Sequence, residues 1–128
     1  MPPLYTRRVF VNDLTPMAHV MDVDASCRFY ELLGFHVEHR WGGPGQGTNA
    51  ASLAAGDARL LLAGATPFAA EDQAVLFYLY ADDVESLREH LVAVGLDPGP
   101  VTHPPYMQLG EFRLADPDGY VLLVGQRG

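Results

Sequence analysis

Histidine and glutamate side chains come first, because an imidazole or carboxylate can move a proton or hold a metal near neutral pH. The chain has five histidines: His19, His36, His39, His90 and His103. His36 and His39 flank Glu38, but their odd spacing on a strand-like run sends them to opposite faces. His90 falls in a helical run, and His103 sits among prolines. His19 is better placed, since Thr15, Met17 and His19 alternate onto one face. A neutral imidazole there could orient a ligand, act as acid or base, or serve as a hydrogen-bonded structural group. Glu111 is a second candidate base, or a solvated carboxylate on a strand whose other side carries Phe112. No Ser/His/Asp or Cys/His grouping assembles, so the residues lean away from an enzyme without settling the matter. Cys27 is alone, which rules out an intrachain disulfide and the Cys-x-x-Cys metal patterns.

The elements that must position these residues recur as two copies. Asp22-Val23 opens a helical run that closes at Leu33-Gly34-Phe35, and Asp83-Val84 opens another, 61 residues on, that closes at Val94-Gly95-Leu96. Aspartate suits a helix start and glycine suits the position just past its end. Strands are expected over residues 7–11, 17–21, 35–41, 50–54, 58–63, 75–80, 110–115 and 120–125, the 35–41 run as an edge. Asp118-Gly119 between two apolar runs marks a hairpin. The Gly-rich run over 42–49 reads as a flexible connection or a lid, and lacks the Gly-Lys-Ser/Thr of a phosphate loop. One domain spans 1–128, with module one at about 7–64, a linker at about 65–73 and module two at about 74–126.

Composition sets outer limits. A chain of 128 residues can bury roughly 70% of the surface it exposes when unfolded. Sixteen acidic residues against 8 Lys plus Arg leave a formal charge of -8, which repels phosphate backbones and anionic membranes. Nucleic acid and membrane partners are therefore not expected. No apolar run approaches ~20 residues and the N-terminus has no secretory core, so a soluble cytoplasmic protein is the simplest expectation.

Two segments carry a family resemblance. Val20-Met21-Asp22-Val23 through Ser26, Phe29-Tyr30 and Leu33-Gly34-Phe35 resembles the first-half signature of the vicinal oxygen chelate superfamily, which includes glyoxalase I, extradiol dioxygenases and bleomycin-resistance proteins. Gly110-Glu111-Phe112-Arg113-Leu114-Ala115-Asp116-Pro117-Asp118-Gly119-Tyr120 resembles its second half. The resemblance implies an α+β fold of two βαβββ modules, whose curved mixed sheets form a cup with helices on the convex side. It also implies a homodimer.

The superfamily's enzymes hold a divalent metal with His, Glu or Gln. The resemblance places those positions here at Thr15, Leu76, Leu61 (Leu62 if the register slips by one) and Leu123. None can chelate a hard or borderline cation, so no metal and no cofactor are expected. The cup would instead be lined by Met17, His19, Leu61, Leu76, Tyr78, Tyr80, Val121 and Leu123, with Trp41, Tyr106 and Phe112 at its edge or mouth. Such a lining suits a small apolar or aromatic molecule. The expected function is metal-free binding that sequesters an antibiotic or aromatic metabolite. The alternatives are a metal-independent lyase or isomerase, and a structural or regulatory dimer whose cup is filled by its own side chains.

Overall fold

The structure is a computed structural model that describes residues 10–11, 13–42, 45 and 47–128. Of the strand expected over 7–11, residues 7–9 lie outside the described residues, and Phe10 and Val11 are in no strand. The loop expected over 42–49 also falls partly outside them.

Among the described residues the fold is α+β, with two helices and seven strands in two mixed sheets. Strand β1 (Met17–Val20) leads into helix α1 (Val23–Leu32), then β2 (His36–Trp41), β3 (Ala50–Ala55) and β4 (Ala58–Gly64). A 3-10 turn at Ala70–Asp72 interrupts the connection. The second half runs β5 (Leu76–Ala81), α2 (Val84–Ala93), β6 (Glu111–Ala115) and β7 (Val121–Gln126). The sheet orders are β1-β4-β3-β2 and β5-β7-β6, so β2 is an edge as expected. In both sheets the first strand lies parallel to the last.

The helices form where their caps say they should. Asp22 accepts a hydrogen bond from the Ala25 N–H, and Asp83 from the Ser86 N–H, each satisfying a donor in the first turn. Gly34 and Gly95 stop the two helices at the same relative position, both with positive φ. Module two departs from module one at its second strand, the counterpart of β2. Residues 99–102 pair with β6 only through Gly99 N–H to Arg113 O, and through Thr102 and Glu111. Pro98 and Pro100 have no N–H to give, so a regular ladder cannot form there.

One core runs through both halves. Leu53, Leu62, Tyr30, Leu91, Leu122 and Val124 are fully buried within a single cluster. What joins the halves most directly is the turn between β6 and β7, which seats on α1. The Tyr30 hydroxyl donates to Asp116 Oδ2 at 2.7 Å in a buried contact. Asp118 accepts from the Met21 N–H at 3.0 Å and from the Ser26 hydroxyl at 3.4 Å. The Tyr120 hydroxyl donates to the His19 carbonyl at 3.0 Å.

Candidate ligand-binding site

Strand alternation sorts the candidate residues onto two faces. In sheet one, Ala18, Val20, Leu60 and Leu62 turn toward the helix, while Met17, His19 and Leu61 turn away. In sheet two, Phe77, Leu79, Leu122 and Val124 are core, while Leu76, Tyr78, Tyr80 and Leu123 lie on the opposite face. The registers match: Met17 pairs with Leu61, and Tyr78 with Leu123. Leu61, not Leu62, therefore lies on the open face. These faces are bare in the single chain, with Met17, Leu76 and Tyr80 at 60%, 55% and 61% exposure.

Two expectations need correction. Phe112 is 1% exposed and belongs to the core, because β6 alternates Glu111 and Arg113 on one face with Phe112 and Leu114 on the other. Its ring packs on the helix side, and it borders the smaller of the two clefts described below only as a buried residue. His36 and His39 were expected on opposite faces, but the β2–β3 register shifts between Val37 and His39. His36 pairs with Ala54 and His39 with Ser52, two residues apart on a regular strand, so both histidines share the open face. Trp41 joins them, its ring 4.4 Å from that of His39.

The structure gathers Tyr78, Tyr106 and Glu111 into one cluster. The Tyr78 hydroxyl donates to Glu111 Oε1 at 2.7 Å, and the Tyr106 hydroxyl to Oε2 at 2.6 Å. Glu111 is not the solvated strand-face carboxylate that was one of its two readings; it is 6% exposed. Burial of its hydroxyl and the bond to Glu111 hold the Tyr78 phenol well above the usual tyrosine range. The hydrogen bond to Glu111, then burial, raises Tyr106 as well. Gly125 makes this possible: a Cβ there would lie 2.8 Å from Tyr78 Oη and 2.8 Å from Met107 Cε. The ring of Tyr78 crosses β7 in the space that a side chain would fill. Nothing in the local pattern around Gly125 signals this.

Two clefts border these residues. The smaller, about 380 Å³, is lined by Gly99, Pro100, Thr102, Tyr106, Glu111, Phe112 and Leu123, with Arg113 at its side. The larger, about 830 Å³, runs along the free edge of β5 between the turn joining β3 to β4 and the start of α2. Leu76, Tyr78 and Tyr80 reach it from the expected set, beside Leu33, Phe35 and Leu87, which were not singled out. Its place is instructive. Asp82, Asp83 and Leu87 are the repeat counterparts of Met21, Asp22 and Ser26, where the module-two turn is bolted to α1. Module one's shorter turn at Gly56-Asp57 makes no such bonds among the described residues, and the space stays open.

The donor set does not fit a divalent ion. Thr15, Leu61, Leu76 and Leu123 offer no imidazole or carboxylate, and no three His, Cys, Asp or Glu gather anywhere among the described residues. His19 lies on the open face away from Glu111's cluster, on the other sheet.

A repeated pair of helix-backed mixed sheets with bare inner faces defines a two-module cup protein. A model of the Glyoxalase/Bleomycin resistance protein/Dioxygenase superfamily matches residues 15–124, and the chain belongs to that superfamily. No curated protein matches the chain. Among solved structures it is similar to a bleomycin-binding protein complexed with bleomycin, with a TM-score of 0.75 and 22% identity over 92% of this chain and 100% of that one. A bleomycin resistance determinant encoded on the transposon Tn5 gives 0.74 and 22% over 91% and 98%. The bleomycin-binding protein from bleomycin-producing Streptomyces verticillus, complexed with copper(II)-bleomycin, gives 0.69 and 21% over 94% and 99%. These identities speak for the fold.

Proposed function

We propose that the protein is a metal-independent binder of a small, largely apolar or aromatic molecule, which it sequesters as a cytoplasmic homodimer. Its single domain would act through two modules, at about 7–64 and 74–126, with 65–73 between them. The exposure of two apolar and aromatic sheet faces carries this reading, since a monomer rarely leaves so much contiguous apolar surface in water. A second copy of the chain would enclose those faces and leave a walled pocket between them. The non-chelating residues at the four ligand positions support metal independence. The lone buried Cys27 suits a reducing compartment. Sequestration needs only tight stoichiometric binding, and a charge of -8 would steer a cationic drug toward the protein.

Metal-free bleomycin is the probe of choice, because structural neighbours bind it. Calorimetric titration of untagged protein is expected to saturate, with the drug recovered intact by mass spectrometry. Absence of saturable heat would sink bleomycin-type binding. Sedimentation at micromolar concentration is expected to give a dimer, and a monomer would remove the enclosed pocket. Metal analysis of the same sample is expected to find no stoichiometric divalent ion; one ion per chain would overturn metal independence.

A second reading is favoured by Glu111, a buried carboxylate between two tyrosines. A metal-independent lyase or isomerase could use it as a base. Turnover that is lost in Glu111→Gln while binding persists would establish that reading over sequestration.

A further inference from the structure

We propose that Glu111, with the hydroxyls of Tyr78 and Tyr106, is an anchor for a protonated primary amine on the ligand; this deepens the binding reading above and rests on it. Glu111 is 94% buried, yet none of the ion pairs among the described residues involves it. A buried carboxylate without a cation is costly, and a ligand cation placed beside it relieves that cost. Arg113, the one cation lining the smaller cleft, stands two residues along the same strand face, stays exposed and does not reach Glu111.

Hydrogen-bond polarity narrows the ligand further. Each tyrosine has a single O–H, and Tyr78 and Tyr106 give theirs to the two oxygens of Glu111. What remains around the carboxylate is its own unused lone pairs and those of two phenol oxygens. The cluster accepts and has no phenolic donor left to offer. A group that fills the space beside it must donate, and a primary ammonium with three N–H groups does so where a carboxylate or ether cannot. Tyr106 itself lines the cleft and adds an aromatic face that attracts a cation. The cleft of about 380 Å³ has room for the ammonium and an attached ring.

The test uses 1-naphthylmethylamine, 1-naphthylmethanol and the N,N,N-trimethyl form of the amine, each titrated by NMR against full-length protein and Glu111→Gln, with thermal melting to check folding. The amine is expected to bind the wild type about tenfold tighter than the alcohol, the factor that a charge-assisted hydrogen bond supplies. It should also outbind its trimethyl form, which keeps the charge but has no N–H. In Glu111→Gln the preference over the alcohol should vanish. Equal binding of amine and alcohol by the wild type, or a preference that survives in Glu111→Gln, overturns the anchor. Should that variant fail to fold, the wild-type comparison of the amine with its trimethyl form decides, and equal affinity overturns the proposal. If bleomycin binds but none of the naphthyl compounds does, the anchor falls and the binding reading stands; if nothing binds, both fall.

Discussion

Replacing Asp116 with alanine is expected to lower the unfolding free energy by about 3–5 kcal/mol, enough to remove much of a small domain's margin. The carboxylate accepts from the buried Tyr30 hydroxyl through Oδ2, and from the Asp118 and Tyr120 N–H groups through Oδ1. Alanine leaves three donors without their acceptor, at least two of them away from water. Burial raises the Asp116 carboxyl above its usual range, so its desolvation is not fully returned by those donors. Asp116→Asn, which keeps one oxygen acceptor, should therefore cost less, about 1–2 kcal/mol.

The direction of that shift fixes the pH behaviour. A folded-state pKa above the unfolded one means that the folded protein holds this proton more tightly. The contribution is fully present below the unfolded value of 3.8 and is lost as pH rises through the raised folded value. Urea unfolding at pH 4 and pH 7 checks this: the wild type should lose stability across that window relative to Asp116→Asn. Asp57→Ala, in the exposed turn of module one, is the control and should stay within about 0.5 kcal/mol of wild type.

Gly125→Val should disable the Tyr78–Glu111 contact while leaving Glu111 in place. The new side chain would enter the space held by the Tyr78 ring and Met107 Cε, both within 3 Å of an added Cβ. Overpacking of this kind costs about 1–3 kcal/mol. With Tyr78 displaced, its phenol should return to the ordinary tyrosine pKa of about 10. Ultraviolet titration reads this directly: the variant should ionise one more tyrosine near that pH than the wild type does. An unchanged titration would mean that Tyr78 keeps its bond to Glu111 by another route.

What the sequence revealed and what it hid separate by distance along the chain. Asp22 with Gly34 and Asp83 with Gly95 are local signals, and each helix forms between them. Period-two alternation was enough to place Met17, His19, Leu76, Tyr78 and Tyr80 on one kind of face. It failed at β2, because a bulge adds one residue without changing the residue types around it. Phe112 was misplaced for a different reason. The resemblance put its segment at the cup mouth, and that outweighed the alternation that assigns the ring to the core. The bonds that matter most join residues far apart in sequence. Tyr30 meets Asp116 across 86 positions and Tyr78 meets Glu111 across 33, and no local pattern encodes either.

The two hairpin turns have consequences for how this chain can change. The turn at Asp116–Gly119 is bolted to α1 and has little latitude: altering its length would pull Asp116 and Asp118 away from their partners. Its counterpart at Gly56-Asp57 faces open space and answers to no such constraint. One copy of the turn thus holds the molecule together, while the other, among the described residues, has no partner across the module boundary to keep. Libraries that vary residues 57, 58 and 82, which leave the Asp83 cap and the core-packed Ala55 and Leu87 untouched, should yield folded proteins far more often than libraries of the same size over 116–119. New recognition could be bred into this scaffold from that side without spending its stability.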